Sequence, residues 1–253
     1  WSVTAMLDLK SYFTQLTSPM SDSINITPVG APVHARVRPP GSKSITNRAL
    51  VCAALARGTS TLRGALDSDD TRAMIEGLGR LGFEVQSSDD GQTLEVAGTA
   101  GQIPATQADL ICGNSGTTIR FLTAIATLGQ GAFRLDGVPR MRQRPIGDLL
   151  AALEQLGADA RAEMQNNCPP VVVHAHGLPG GVARLQAHVS SQFLSGLLMA
   201  TPCADNPVEL TVDGALVSKP YVRMTMAVMR DFGVQVECDD QQSSYRVSPA
   251  QYV

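Results

Sequence analysis

Three short loops in this 253-residue chain are built from the residue types that hold anions. They are Gly41-Ser42-Lys43-Ser44, Gly113-Asn114-Ser115-Gly116-Thr117-Thr118 and Ser190-Ser191-Gln192, and each opens an apolar run of helical period. A loop that opens a helix presents free backbone N–H groups, hydroxyls and the positive end of the helix dipole, which together suit phosphate or carboxylate. Glycine in such a loop lets the backbone approach the anion closely. Basic side chains gather beside the loops: Lys43, Arg48, Arg120 and Arg144. Arginine grips a carboxylate or phosphate with two parallel bonds, whereas lysine acts as a compact charge. Arg48 and Arg120 each fall early in an apolar helix, where a guanidinium needs a partner or a ligand.

Other patterns carry less. The Gly-x4-Gly-Lys-[Ser/Thr] order of a nucleotide-binding P-loop is absent. Ser218, ahead of Lys219-Pro220-Tyr221, reads as a helix cap, a role compatible with anion binding because both use the same helix end. His174 and His176 share one face of a strand, but a metal needs three or four ligands with supporting partners, and no third ligand is evident. Asp67, Asp69 and Asp70 lack calcium-loop spacing and read as helix-capping residues.

The elements that must position these residues recur three times. Amphipathic helices are expected over 70–81, 145–156 and 220–232, each followed by a glycine and a short alternating strand. The glycines are Gly82, Gly157 and Gly233, in steps of 75 and 76 residues, and each suits the left-handed residue that ends a helix. Pro145 and Pro220 fit first helical turns, and the Asp67-Ser68-Asp69 cluster fits a cap. Upstream of each lies a more apolar helix, beginning near Ile45, Thr117 and Gln192, followed by strands near 59–62, 132–135 and 208–212 that close at Gly64, Gly137 and Gly214. The more apolar helix of each pair is expected to be the buried one. The fold class that follows is an α/β domain of three similar units around a pseudo-threefold axis, with the three anion loops meeting on one face.

Composition narrows the partners. The chain is 43% apolar and 17% charged with a net charge of −3, which marks a folded protein with no bulk affinity for nucleic acid. Its five cysteines, Cys52, Cys112, Cys168, Cys203 and Cys238, are widely spaced and odd in number, as expected of free thiols in a reducing cytoplasm. No apolar stretch approaches the roughly 20 residues needed to span a bilayer. Residues 1–24 read as a poorly ordered leader, with a natural start at Met20.

These motifs resemble one family. Pro40-Gly41-Ser42-Lys43-Ser44-Ile45-Thr46-Asn47-Arg48-Ala49-Leu50 looks like the N-terminal signature of the 5-enolpyruvylshikimate-3-phosphate (EPSP) synthases, and Gly113-Asn114-Ser115-Gly116-Thr117-Thr118-Ile119-Arg120 looks like their second signature. Pro139-Arg140-Met141-Arg142-Gln143-Arg144-Pro145-Ile146, Ser190-Ser191-Gln192-Phe193 and Ser218-Lys219-Pro220-Tyr221 are similar to further family segments in the same order. The resemblance covers the chain from Asn25 to its end. It implies two domains of three βαβαββ-like units each. It also implies transfer of the enolpyruvyl group of phosphoenolpyruvate to the 5-hydroxyl of shikimate 3-phosphate, with phosphate leaving by addition and elimination. No metal or organic cofactor is implied.

Carried over residue by residue, the resemblance implies that Ser190, Ser191 and Ser218 hold the 3-phosphate, and that Ser44, Arg48 and Tyr221 touch the same substrate. Gln192 lies between the two substrates, while Lys43, Gly116 and Arg144 face phosphoenolpyruvate with Asn114 nearby. Lys43, Arg144 and Gln192 are the catalytic candidates. In well-known bacterial members Ala stands in place of Ser115 and Thr118, Met in place of Ile119 and Pro in place of Phe121. These departures flank the glycine beside phosphoenolpyruvate, so sensitivity to the herbicide glyphosate is not carried over.

The family chain continues beyond Val253. The expectation is a shikimate-3-phosphate-binding domain over 39–244, the start of a second domain and a crossover over 25–38, and a crossover toward that domain over 245–253. Both ends are expected to dangle, and the chain to be inactive alone. Two alternatives stay open: a binding half that needs a partner chain, and a relative of UDP-N-acetylglucosamine enolpyruvyl transferase. Lys43-Ser44 together with Ser190-Ser191-Gln192 favours shikimate 3-phosphate over the latter.

Overall fold

The computed structural model describes residues 28, 30, 32, 34–37, 39–88, 91–186, 190–214, 216 and 218–253. The expected leader over 1–24 and the Asn25 to Thr27 stretch lie outside them. The chain divides into two compact units, Trp1–Pro39 and Pro40–Val253. The described residues of the first are exposed and hold neither helix nor strand.

The second unit repeats one order of elements. Helix α1 (Lys43–Leu55), strand β1 (Arg57–Arg63), helix α2 (Asp69–Arg80) and strands β2 (Glu84–Ser87) and β3 (Thr93–Thr99) come first. Then follow β4 (Gln107–Ile111), α3 (Gly116–Ala126), β5 (Gln130–Asp136), α4 (Gly147–Gln155), β6 (Asp159–Ala162) and β7 (Val171–His176). The last group is β8 (Gly181–Gln186), α5 (Ser191–Ala200), β9 (Val208–Asp213), α6 (Lys219–Asp231), β10 (Glu237–Cys238) and β11 (Ser244–Val247).

Two sheets share one topology, β4-β5-β7-β6 and β8-β9-β11-β10. In each the first two strands are parallel, with Leu110 opposite Leu135 and Leu185 opposite Val212, and the remaining pairs are antiparallel. This is the βαβαββ order. The third sheet, β1-β3-β2, has the same antiparallel part without a leading parallel strand among the described residues.

Burial separates the two helix types as their composition predicts. α1, α3 and α5 are buried along most of their length, and each touches the other two. α2, α4 and α6 bury only one stripe, for instance Thr71, Met74, Gly77 and Leu78 of α2. Each fully buried Leu or Val contributes roughly 1.5–3 kcal/mol, so the three inner helices form the energetic centre. Each outer helix is followed by its expected glycine in left-handed conformation, with φ +92° at Gly82, +86° at Gly157 and +82° at Gly233. Ser68 caps α2 through a capping box with Thr71.

Four expectations need correction. Pro145 precedes α4, which starts at Gly147 because the backbone at Ile146 (φ −136°, ψ −3°) is not helical; the Ile146 and Gly147 N–H groups are satisfied by the Asn167 carbonyl. The short alternating strand expected directly after Gly233 is only Glu237–Cys238, since the Val234 N–H closes the end of α6 on the Met229 carbonyl. Ser218 stands at the start of α6 but makes no side-chain cap: its backbone is left-handed (φ +63°, ψ +40°), and a cap side chain reaches the first turn from an extended backbone.

The fourth concerns the end of the domain, which does not fall at residue 244. Ser244–Val247 pair with β9, and Tyr245 is fully buried. Beyond them Tyr252 is also fully buried; its hydroxyl donates to the Met199 carbonyl (3.0 Å), and its backbone carbonyl accepts from Arg57 N (2.9 Å). The tail is packed because an aromatic ring has a hole to fill beside α5. No described helix is long and apolar enough to cross a membrane. His174 and His176 lie on the exposed face of β7.

Candidate functional site

The three inner helices begin alike. Ser42 caps α1 by accepting from Ile45 N (3.4 Å), Ser115 caps α3 by accepting from Thr118 N (3.3 Å), and Ser190 caps α5 by accepting from Gln192 N (3.3 Å). The first helical residues are therefore Lys43, Gly116 and Ser191. Each cap uses the serine oxygen as acceptor, Ser115 in addition donating its proton to Asp70, and the first-turn N–H groups and dipole of each helix favour an anion.

At the start of α1, Lys43 Nζ meets Asp70 Oδ2 at 3.0 Å. Asp70 belongs to the first turn of α2, where a carboxylate suits the dipole. Its other oxygen accepts the Ser115 hydroxyl at 2.6 Å, and its backbone carbonyl lies 3.2 Å from the Thr118 hydroxyl. Burial alone would raise its pKa. The Ser115 hydroxyl, Lys43 and the charge of Arg144 outweigh that and hold the carboxyl below its usual range.

At the start of α3, Arg144 donates Nη1 to the Asn114 carbonyl (3.2 Å) and lays its guanidinium over Gly116. A Cβ at 116 would stand 2.6 Å from both Cζ and Nη1. Arg120, from the next turn, is 8% exposed and stacks on the Phe193 ring with Cζ 4.8 Å from its centroid. It donates to Gln192 Oε1 (2.5 Å) and to the Pro145 carbonyl (3.3 Å), while Gln192 Nε2 donates to Thr117 Oγ1 (3.1 Å). Burial, and then the neighbouring charge of Arg144, push the Arg120 pKa down to about 10. Two guanidinium groups repelling each other, with no carboxylate bonded to either among the described residues, make a place for a negative group.

Arg48 sits differently. It is 2% exposed and bonds Thr225 Oγ1 through Nε (2.6 Å), the Ser44 carbonyl through Nη1 (2.7 Å), and Ser195 Oγ (3.1 Å) and the Tyr221 carbonyl (3.4 Å) through Nη2. Its Cζ lies 5.2 Å from the Phe121 ring centroid, and burial brings its pKa down to about 10. Four of the five guanidinium N–H directions therefore end on described protein oxygens, leaving one Nη1 proton for a ligand. The structure places Arg48 chiefly as a tie between α1, α5 and α6, so the expected direct substrate contact is reduced to that proton. The tie fixes Ser44 and Tyr221 through their carbonyls; the Tyr221 side chain is exposed.

The sequence-derived candidates thus separate into groups. Lys43, Asn114, Gly116, Arg144 and Gln192 are joined by the contacts around the α1 and α3 starts. Ser44, Arg48 and Tyr221 form a second network. Ser190 and Ser191 stand at the start of α5, and Ser218 stands exposed at the start of α6 in a backbone region costly for a residue with a side chain, as found at ligand-binding positions. Asp70, Thr117 and Arg120 were not among the assigned site residues. Arg120 was visible as a cation in an apolar helix, but nothing near Asp70 in sequence points to Ser115. A hollow of about 450 Å³ lined by Asp67, Arg72 and Ile75 contains none of these loop donors, so the site is a face of convergent groups and not that cavity.

A family model described as EPSP synthase (3-phosphoshikimate 1-carboxyvinyltransferase) matches residues 28–252. The chain is 45% identical over 222 residues to the 3-phosphoshikimate 1-carboxyvinyltransferase of Marinomonas sp. (strain MWYL1), covering 88% of this chain and 52% of that protein. It is 49% identical over 211 residues to that of Shewanella loihica, covering 83% and 50%. The chain spans about half the length of the curated relatives it matches. Among solved structures, an EPSP synthase from Acinetobacter baumannii aligns with a TM-score of 0.74 at 24% identity, over 85% of this chain and 47% of that one. The enolpyruvyl transferase NikO from Streptomyces tendae aligns with a TM-score of 0.61 at 17% identity, over 88% and 50%. At these identities the two structures speak for the fold.

Proposed function

The chain belongs to the EPSP synthase family, and we propose that it supplies the shikimate-3-phosphate-binding half of a 3-phosphoshikimate 1-carboxyvinyltransferase. In this reading, residues 40–253 form one of two enolpyruvyl-transferase domains, its three units related by a pseudo-threefold axis. The reaction moves the enolpyruvyl group of phosphoenolpyruvate to the 5-hydroxyl of shikimate 3-phosphate and releases phosphate. The five free cysteines fit a reducing cytoplasm.

The observation that carries the reading is the pair Arg120 and Arg144 at the start of α3, neither bonded to a carboxylate among the described residues, beside a glycine and within reach of the Lys43 loop. Such a place suits a small dianion carrying both carboxylate and phosphate. Lys43, Asn114, Gly116 and Arg144 take phosphoenolpyruvate. Gln192, held from both ends by Arg120 and Thr117, stands between the two substrates. Ser190, Ser191 and Ser218 take the 3-phosphate, and Ser44, Arg48 and Tyr221 frame the ring. Both substrates are anions, and donors fixed before binding stabilise developing charge with little reorganisation.

A calorimetric titration with shikimate 3-phosphate at fixed salt tests this. Saturable binding that disappears in Ser190→Ala/Ser191→Ala supports the assignment. Absence of binding in folded chain, or binding indifferent to the two serines, overturns it.

A further inference from the structure

We infer that the hydroxyls of Ser115 and Thr118 position Lys43 by holding Asp70 between them. The contacts run in series across two repeats: Thr118 Oγ1 to Ser115 Oγ at 2.8 Å, Ser115 Oγ to Asp70 Oδ1 at 2.6 Å, Asp70 Oδ2 to Lys43 Nζ at 3.0 Å. With the Ser115 proton on Asp70, Thr118 has one proton to give, either to Ser115 Oγ or to the Asp70 backbone carbonyl at 3.2 Å, and both acceptors belong to the same contact between α3 and Asp70. Thr118 is fully buried and Ser115 is 5% exposed. The described partners of the two hydroxyls are each other, the first turn of α3 and Asp70.

Geometry gives the grip a consequence. A carboxylate with both oxygens free can take two ammonium protons of a neighbouring lysine. Here Oδ1 is already engaged by Ser115, so Asp70 meets Lys43 through Oδ2 alone. Lys43 keeps two of its three N–H directions for a ligand, and it stays fixed at the first position of α1. Ser115 and Thr118 are thus positioning residues that act through Asp70 on the phosphoenolpyruvate side of the site. The ligand named here rests on the proposed function; the contact series does not.

A double-mutant cycle with two readouts decides the matter. The first needs no substrate. The chain has three lysines, Lys10, Lys43 and Lys219, so reductive ¹³C-methylation yields few dimethyl-lysine resonances, and Lys43→Arg assigns the one of interest. Ser115→Ala is expected to move the Lys43 resonance, and to move it no further once Asp70→Asn is present. The second readout is phosphoenolpyruvate affinity by calorimetry with shikimate 3-phosphate present. Ser115→Ala is expected to weaken it roughly tenfold, the order carried by one hydrogen bond to a charged group, as unrestrained Asp70 takes up more of Lys43. In the Asp70→Asn background the same change is expected to have less than a twofold effect.

A serine that only caps α3 behaves otherwise: its replacement perturbs both backgrounds equally and leaves the Lys43 resonance in place, and that result overturns the inference. If Ser115→Ala does not fold, Thr118→Val, which keeps the cap oxygen, runs the same cycle. Should the chain bind neither substrate, the proposed function fails, while the resonance of Lys43 still decides whether the series exists.

Discussion

Gly116 leaves open the space in which Arg144 lays its guanidinium, so that a Cβ at 116 would meet Cζ and Nη1 at 2.6 Å. The backbone at 116 is ordinary helix, and the obstruction is the far end of a flexible side chain. Gly116→Ala is therefore expected to fold, with stability unchanged or raised by up to about 1 kcal/mol. Arg144 must swing off the start of α3, and phosphoenolpyruvate affinity is expected to fall by about tenfold or more. Thermal melting and calorimetry on the same variant separate the two effects; an alanine variant that binds as tightly as the parent excludes this placement of Arg144.

Arg120→Lys tests the hold on Gln192. A lysine cannot bond both Gln192 and the Pro145 carbonyl in the guanidinium's fork, and it loses the flat stack on Phe193. The expected cost is about 1–2 kcal/mol in urea-midpoint stability, together with weaker binding of either substrate. Full stability in the variant indicates that the fork and stack contribute nothing.

Thr225→Val removes the acceptor of Arg48 Nε and the hydroxyl beside Ser195 and the Tyr221 carbonyl while keeping shape. A buried cation that loses one of four bonds is expected to cost about 1.5–3 kcal/mol. Chemical denaturation measures it, and a change under about 0.5 kcal/mol, the range of an ordinary surface substitution, counts against Arg48 as the tie between α1, α5 and α6.

Asp136 makes part of the stability pH-dependent. Burial opposes its charge, but Arg142, the Gly137 N–H and Arg134 prevail and lower its pKa. A carboxyl whose folded pKa lies below its unfolded value of about 3.9 stabilises the fold fully above that value. Its contribution is lost as pH falls through the folded pKa. Asp136→Asn is expected to be destabilised at pH 7, with the gap to the parent beginning to close below about pH 4 and closing further as pH falls toward the folded pKa. Urea midpoints across pH 3–7 check this, and a constant gap between the two proteins contradicts it.

Local signals carried much of the fold. Gly82, Gly157 and Gly233 end outer helices, Ser68 caps one, and the more apolar helix of each pair is the buried one, because capping, left-handed stops and apolar periodicity depend on a few neighbouring residues. The three helix-opening loops were legible for the same reason. Ser42, Ser115 and Ser190 each precede an apolar run and cap it through the side-chain oxygen.

Tertiary structure alone decided which groups share partners. Lys43 and Asp70 are 27 residues apart, Asp70 and Ser115 45, and Arg48 and Thr225 177. Such pairs depend on how helices from different repeats cross, which no short window encodes. That is why Asp70 read as a plain helix-start residue and the bonds from Arg48 to Ser195, Tyr221 and Thr225 were not legible. It is also why the final segment read as a loose crossover: its place depends on a hole for Tyr252 beside Met199 that exists only once α5 is packed. Residue type and spacing determined that serines open three apolar helices beside basic side chains; the packing of helices from different parts of the chain determined which of those cations pair with protein groups.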